Sequence, residues 1–211
     1  MKDFKTIADD EIFSATYEVN KSKFLAHVKH VINEETARDF VLMIRKKYFD
    51  ATHNCSAWIL GEHGDKQKSN DDGEPGGTAG NPILETIKKN DLTNCAIVVT
   101  RYFGGIKLGA GGLIRAYSHT AALGLANSKI VRMTMFRRLS LTLEYNFLAT
   151  VENYLRNKKI RVLNTDYADV VTLELLLLPA QVENFLSELN ELTAANFLSE
   201  ELGEVLIPVE I

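Results

Sequence analysis

The sequence predicts an α+β protein built from two domains. Apolar residues recur with strand and helix periods along the 211 residues, and charged side chains are unevenly divided between two parts of the chain. Residues 1–134 carry 18 Lys and Arg against 16 Asp and Glu, whereas residues 135–211 carry 6 against 12. The glycine content also falls in the second part, because only Gly203 follows Gly124. We therefore predict one domain over residues 1–134 and a second over residues 135–211.

In the first domain, strands are expected to alternate with helices. Phe13–Val19 and Lys23–Val31 are predicted strands. Asn33 is the predicted N-cap of the next helix, which has acidic residues in its first turn and basic residues near its end. The other predicted elements are a strand at Ala51–Leu60, a loop at Gly61–Ala79, a helix at Ile83–Lys89 with Asn81 as its N-cap, a strand at Cys95–Phe103, a loop at Gly104–Gly112, a helix with the apolar stripe Ile114, Tyr117, Ala121 and Leu125, and a strand at Lys129–Met135.

The second domain is predicted to contain six short elements in the order strand, helix, strand, strand, helix, strand. This order is that of the ferredoxin-like βαββαβ arrangement. The predicted elements are a strand at Arg138–Tyr145, a helix capped by Asn146, strands at Lys159–Asn164 and Val170–Leu178, a helix opened by Pro179, and a last strand in which Val205, Ile207, Val209 and Ile211 alternate.

Composition excludes several classes of protein. Only two cysteines occur, Cys55 and Cys95, which excludes a disulfide scaffold and favours a reducing compartment. The longest apolar runs, such as Leu175–Leu178, are far too short to span a bilayer. The first residues reach Asp9-Asp10-Glu11 without an apolar signal core. We therefore expect a cytoplasmic protein that does not contact a membrane.

One stretch of the chain is free of acidic residues. From Leu92 to Leu143 there is no Asp or Glu. A local positive field within an acidic protein favours an anionic partner, and the alternative is a chance acid-poor stretch with solvated bases. The bases in this window are Arg101, Lys107, Arg115, Lys129, Arg132, Arg137 and Arg138.

Glycine is concentrated in two loops. Nine of the 13 glycines lie between Gly73 and Gly112. Loop one, Asp71–Gly80, and loop two, Arg101–Arg115, each lead into a predicted helix N-terminus, where unpaired N–H groups favour an anion. We predict that they form one site for a phosphate-bearing ligand, the alternative being strand-to-helix turns that need glycine for packing only. The predicted anion- or nucleic-acid-binding residues are Arg101, Tyr102, Phe103, Gly104, Gly105, Lys107, Gly109, Gly111, Gly112 and Arg115.

Loop one also carries three acidic residues, Asp71, Asp72 and Glu74. They could bind Mg²⁺ between protein and phosphate, act in proton transfer, or form a solvated turn, which we favour. They could also pair with the cations of loop two and lock the two loops together. Gly77 and Thr78 belong to the same group of loop-partner residues. We predict no cofactor, with Mg²⁺ as the alternative.

His53 and Cys55 alternate on one predicted strand and therefore face the same side. With His63 they lack a second ligand pair at zinc-like spacing, and a Cys–His nucleophilic couple would lack a third group. We interpret both as packed residues or as the edge of the ligand site. Neither a metal site nor a catalytic residue is predicted.

These motifs together resemble a known family. The chain is similar to the bacterial YigZ branch of the IMPACT family, and the similarity covers both domains. The segments that carry it are Asp71-Asp72-Gly73-Glu74-Pro75, Gly77-Thr78-Ala79-Gly80 with Pro82, Val99-Thr100-Arg101-Tyr102-Phe103-Gly104-Gly105, Lys107-Leu108-Gly109, Gly111-Gly112-Leu113, Arg115-Ala116-Tyr117, and the upstream His53 and Cys55.

The resemblance implies a fold for each domain. The first would resemble the second domain of a small-subunit ribosomal protein, and the second would be a ferredoxin-like domain similar to the last domain of elongation factor G. Both comparisons are analogies of fold that suggest contact with RNA or the ribosome.

Three functions follow as hypotheses. The leading one is a non-catalytic RNA- or ribosome-binding protein in translation regulation or a stress response. The second is an enzyme acting on a phosphorylated small molecule or nucleotide, with Asp72 or Glu74 as base or Mg²⁺ ligand. The third is a protein–protein adaptor that uses the acidic C-terminal domain.

Overall fold

Helices account for 34% of the structure and strands for 41%, which confirms the α+β prediction. The structure is a computed structural model that describes residues 3–8 and 11–211. Asp9 and Asp10, used above to exclude a signal core, lie outside the described residues. The chain divides into two compact units, Lys2–Met133 with Pro208–Ile211, and Thr134–Ile207. Within the described residues, no helix is both long and apolar enough to cross a membrane.

The described residues form ten strands and five α-helices. In chain order they are β1 (Phe4–Ile7), β2 (Phe13–Val19), β3 (Ser22–His30), α1 (Glu34–Lys47), β4 (His53–Leu60), β5 (Lys66–Asn70), α2 (Gly80–Lys89), β6 (Cys95–Tyr102), α3 (Gly109–Ala126), β7 (Ile130–Leu143), α4 (Tyr145–Asn157), β8 (Arg161–Tyr167), β9 (Val171–Leu177), α5 (Val182–Thr193) and β10 (Phe197–Glu210).

The first unit is built on an antiparallel sheet with helices on both faces. Its strand order is β2-β3-β6-β4-β5. The central strand β6 is buried almost throughout, so alternate side chains enter two cores. Ile97 and Val99 pack in the core with α2 and α3, whereas Ala96 and Val98 pack in the core with α1. The apolar run in β6 predicted a buried central strand. It is apolar because the strand is buried on both faces of the sheet.

Helix α1 begins where the sequence predicts. The side chain of Asn33 accepts a hydrogen bond from the Thr36 N–H at 2.9 Å, and the Thr36 hydroxyl oxygen accepts the Asn33 N–H in return. Ala37, Phe40 and Ile44 are buried on one face, as the three- and four-residue spacing requires.

Two strands were not predicted. β5 lies within the segment predicted as a loop, and its residues Lys66–Asn70 are polar and mostly exposed. It is an edge strand that owes its conformation to pairing with β4, from Ser56↔Asn70 to Leu60↔Lys66. β1 pairs with residues 130–133 of β7. Neither strand has an apolar alternation long enough to reveal it.

Helix α2 begins earlier than predicted. Asn81 is not its N-cap, because the helix starts at Gly80 and the Asn81 side chain accepts a hydrogen bond from the Ser69 hydroxyl. The carboxylate of Asp71 instead accepts the N–H groups of Ala79 and Gly80, at 3.0 and 2.8 Å. A carboxylate nine residues upstream thus replaces the local cap.

Helix α3 also begins earlier, at Gly109, so the last glycines of the predicted loop lie in its first turn. The predicted apolar stripe is wrong at one position. Tyr117, Ala121 and Leu125 are buried, but Ile114 lies on the outer face and is 42% exposed. Near the end of the helix, a Cβ on Gly124 would lie 2.8 Å from Ala26 Cβ, so glycine allows close packing on the sheet.

The second unit has the predicted ferredoxin-like sheet. β9 pairs with β7 and β8, and β10 pairs with β7, giving the order β10-β7-β9-β8. Two details differ from prediction. The strands expected at Lys129–Met135 and Arg138–Tyr145 are one continuous strand, β7, and Glu144 rather than Asn146 is the N-cap of α4.

Two glycines of α3 should respond oppositely to alanine. Gly124→Ala should lower the free energy of unfolding by about 1–3 kcal/mol, because the new methyl group meets Ala26 and Val28 within 3 Å. Gly111→Ala is the matched control, since its methyl group would meet only the flexible Arg115 guanidinium at 3.6 Å. It should leave the protein at least as stable, by denaturant titration. Equal losses in both variants would contradict this packing.

Candidate functional site

The two glycine loops meet at a cleft of about 430 Å³ in the first unit. Loop one contributes Glu74 and Pro75, and loop two contributes Phe103 and the turn into α3. This volume lies within the range of small-ligand pockets. The lining residues are Thr52, His53, Glu74, Pro75, Arg101, Phe103, Lys107, Leu108, Gly109, Ala110 and Leu113.

A buried ion pair forms part of the cleft lining. Arg101 Nη1 donates to Glu74 Oε1 at 2.6 Å, and the two side chains are only 6% and 3% exposed. The Tyr117 hydroxyl donates to the same carboxylate oxygen at 2.8 Å. Because a buried carboxylate is costly without a cation, this pair ties loop one to β6. Two residues predicted for opposite loops are thus brought together.

The guanidinium of Arg101 is also enclosed by aromatic rings. Its Cζ lies 5.4 Å from the ring centroids of both Phe24 and Phe103. Arg101 is therefore a buried cation with its counter-ion inside the protein, rather than an open surface base. An anionic ligand that bound Arg101 directly, as predicted, would have to compete with the Glu74 carboxylate.

A thiol and a phenol lie behind the ion pair. Cys55 Sγ is 3.3 Å from the Tyr117 hydroxyl and 2.9 Å from the Asp71 carbonyl oxygen. Burial raises the pKa of the Cys55 thiol to about 12, and burial followed by the Cys55 contact raises the pKa of Tyr117. A thiol held neutral in this way is a poor nucleophile. Cys55 and Cys95 are both free and buried.

Asp71 occupies the N-terminal end of α2. Its carboxylate accepts the Gly77 N–H at 2.8 Å in addition to those of Ala79 and Gly80. Partial burial opposes ionisation of this carboxyl, but the three backbone hydrogen bonds hold its pKa below the usual range. Thr78 closes the same turn through a 2.6 Å bond from its hydroxyl to the Pro75 carbonyl. The anion at this helix N-terminus is thus the protein's own.

Asp72 is equally engaged. Its carboxylate pairs with Arg45 of α1 and accepts the Asn54 N–H at 2.7 Å. Its carbonyl oxygen lies 2.8 Å from His53 Nδ1, which must therefore carry the proton. The other ring nitrogen, Nε2, lies 3.9 Å from Glu74 Oε2. His53 lines the cleft, whereas Cys55 lies in the core behind it.

The opposite wall of the cleft is formed by the start of α3. Among the described residues, no side chain caps this helix; its N-cap is Leu108, and its first turn holds no acidic residue. Gly109 has a φ of +69°, which glycine adopts without strain. Lys107 is exposed beside this turn, and Phe103 is 46% exposed.

Two predicted ligand residues lie elsewhere. The Tyr102 hydroxyl donates to Asp50 at 2.9 Å. Arg115 lines a second groove, with residues of α2 and α3. Gly104 has a packing role, since a Cβ there would lie 2.0 Å from the Lys21 backbone. Gly105, Gly111 and Gly112 flank the cleft without lining it.

Sequence reasoning missed Arg45, Phe24 and Tyr117 as site residues. Each lies in a regular helix or strand. The residue pattern of that element accounts for its charge or burial, so nothing in the sequence marks it as a site residue. Within residues 3–8 and 11–211, no cluster of three or more His, Cys, Asp or Glu suits a metal ion.

Comparison with known proteins identifies the family. Residues 20–125 match the Impact N-terminal domain, and residues 141–196 match a domain of unknown function, DUF1949. The IMPACT family member YvyE of Bacillus subtilis is 42% identical over 175 residues, which are 83% of this chain and 81% of that protein. The chain belongs to the IMPACT family.

Other IMPACT family relatives extend this result. The family member YigZ of Escherichia coli is 36% identical over 82% of this chain and 85% of its own. The IMPACT homologue of Dictyostelium discoideum is 42% identical over 103 residues, which are only 28% of that protein. These relatives are named as family members rather than as enzymes. A crystal structure titled as that of a hypothetical protein superimposes with a TM-score of 0.60 at 30% identity, covering 94% of this chain and 97% of that one.

Removing the charge of Glu74 should destabilise the protein. Glu74→Gln leaves the buried Arg101 cation without its counter-ion, and we expect a loss of about 3 kcal/mol in the free energy of unfolding. Glu85→Gln is the matched control, because Glu85 pairs with Lys88 on the surface at 3.0 Å and is 57% exposed. It should change stability by less than about 0.5 kcal/mol. Indistinguishable denaturation curves for the two variants would refute the proposed role of the pair.

Asp71→Asn should have a pH-dependent effect. The folded pKa of Asp71 lies below its ordinary value of 3.8, so ionised Asp71 stabilises the fold above that pH. We expect the variant to be about 1–2 kcal/mol less stable at pH 7. The difference should shrink as pH falls below 3.8, when the unfolded wild type takes up the proton first. A difference that is constant between pH 7 and pH 3 would rule out this linkage.

Proposed function

We propose that the protein is a non-catalytic RNA-binding protein of translation, and that its cleft holds an RNA phosphate. The observation that carries this proposal is the uncapped N-terminus of α3, which opens on the cleft beside exposed Lys107. The resemblance of the two domains to ribosomal-protein and elongation-factor folds favours RNA or the ribosome as the partner and the cytoplasm as the location.

The start of α3 is suited to a phosphate group. The first N–H groups of an α-helix have no partner within the helix, and the helix dipole adds partial positive charge there. In α2 this end is satisfied by Asp71, whereas in the part of the chain that the structure describes no side chain caps α3. Lys107 adds a full positive charge. Phe103 offers an exposed ring on which a base could stack.

Glycine in the first turn of α3 supports the same conclusion. A Cβ on Gly111 would meet only the Arg115 side chain, at 3.6 Å, and its φ is not positive. Neither packing nor backbone geometry therefore requires glycine at this position. A helix turn without side chains lets a ligand approach its N–H groups closely.

Binding is favoured over catalysis because the candidate bases are engaged. Glu74 accepts from both Arg101 and Tyr117, and Asp72 pairs with Arg45. Glu74 Oε1 and both carboxylate oxygens of Asp72 are therefore already occupied by donors of the protein itself, which disfavours either residue as a general base or a Mg²⁺ ligand.

The proposal predicts salt-sensitive RNA binding that depends on Lys107. Lys107→Ala should weaken binding of a single-stranded RNA oligonucleotide about 3- to 10-fold and reduce the slope of log affinity against log salt by about 0.7. The measurement is fluorescence anisotropy of labelled oligouridine between 50 and 300 mM salt. Lys29→Ala is the control, because Lys29 lies at the other end of β3 from loop two.

Two results would contradict this function. One is a wild-type protein that binds no RNA at low salt. The other is an equal effect of the Lys107 and Lys29 substitutions, which would indicate nonspecific attraction to any surface base.

A further inference from the structure

We propose that a second RNA subsite lies in the groove between α2 and α3, and that one strand runs into it from the cleft over the first turns of α3. This inference rests on the proposed function and extends the site to residues outside the two loops. The groove has a volume of about 660 Å³. Its lining residues are Tyr17, Thr86, Lys89, Asn90, Ile114, Arg115, Ser118, His119 and Ala122.

The charge of the groove is positive. Lys89 at the end of α2 and Arg115 on α3 are its charged lining residues, and no carboxylate lines it among the described residues. The chain from Leu92 to Leu143, which contributes all of α3, holds no Asp or Glu. Within the groove, a strand of phosphates would therefore meet two cations and no lining carboxylate.

One part of the groove is aromatic. The rings of Tyr17 and His119 meet edge to face, with centroids 4.6 Å apart. His119 is exposed and Tyr17 is partly exposed. Single-stranded nucleic-acid sites combine exposed rings with cations. The nucleobases stack on the rings, and the phosphates contact the Lys and Arg side chains.

The outer face of α3 is unusual for a surface helix. Ile114 is 42% exposed, and Ala110 and Ala122 are also exposed on a helix whose inner face is apolar. The small residues leave room for a ligand that lies close to the helix backbone.

The groove and the cleft are both lined by residues of α3. Ala110 lines the cleft and Ile114 lines the groove, and these residues are one helical turn, or about 6 Å, apart. From Gly109 to His119 the helix rises about 15 Å. Arg115, which lines the groove, has its guanidinium 3.6 Å from the position of a Cβ on Gly111, in the first turn of the helix. A single strand of several nucleotides can contact both pockets, which agrees with the site sizes of single-strand-binding proteins.

An acidic protein segment is the other ligand class that this charge could attract. The structure favours RNA because the rings of Tyr17 and His119 lie in the groove and the open N-terminus of α3 lies in the cleft, at the other end of the proposed path. A peptide helix would instead need a continuous apolar row, and Thr86, Asn90 and Ser118 interrupt it.

The test compares oligouridines of 3, 6, 9 and 12 nucleotides on the full-length protein at 100 mM salt. For the wild type we expect affinity to rise with length as the strand reaches the groove. The Lys89→Ala/Arg115→Ala variant should bind the 3-mer like the wild type but lose about 10-fold or more on the 12-mer. His119→Ala should weaken the 12-mer alone, through a loss that persists at high salt. Lys29→Ala is again the control.

The outcomes separate this inference from the proposed function. RNA affinity that depends on Lys107 but is unchanged in the groove variants would overturn the second subsite and leave the function intact. Absence of RNA binding at every length would refute the function itself. Polyglutamate that binds the wild type, requires Lys89 and Arg115, and leaves bound RNA undisturbed would assign the groove to an acidic protein and overturn the inference.

Discussion

The buried pair between Glu74 and Arg101 is the contact on which the site depends. It joins loop one to β6, and the Tyr117 hydroxyl adds α3 to the same carboxylate oxygen. Neither charge can be left alone at this depth, so separating any of these elements would expose an unpaired charge to an apolar core. The relative positions of loop one, β6 and α3 are therefore fixed before any ligand arrives. A cleft with such a lining is preorganised, which reduces the entropic cost of binding.

The two glycine loops have similar compositions but opposite electrostatic roles. Both lead into a helix, and an uncapped helix N-terminus attracts an anion. At α2 that anion is supplied internally by Asp71, whose charge also shapes the turn through the Gly77 N–H. At α3 no described side chain supplies it, and Lys107 lies beside the open end. In the proposed function, loop one therefore builds the cleft and loop two faces the phosphate, a difference that follows from a single upstream carboxylate.

The sequence predicts what is local and misses what is distant. The Asn33 cap and the buried strand β6 were predictable, because their signals lie within a few residues. The order of the ferredoxin-like elements was predictable from periodicity. β5 was not, since a polar edge strand is determined by its partner. The Glu74–Arg101 pair joins residues 27 positions apart, and only the general idea that acids of loop one could pair with cations of loop two anticipated it.

The positions where local rules fail are the informative ones. Gly111 stands in a helix with room for a side chain, and Ile114 exposes an apolar side chain where the helical spacing predicts burial. Each costs stability or solubility without a gain inside the fold, and such departures concentrate at functional surfaces. They lie three residues apart on the face of α3 that runs from the cleft to the α2–α3 groove. A ligand lying along this face accounts for both at once, because it uses the bare backbone at Gly111 and covers Ile114.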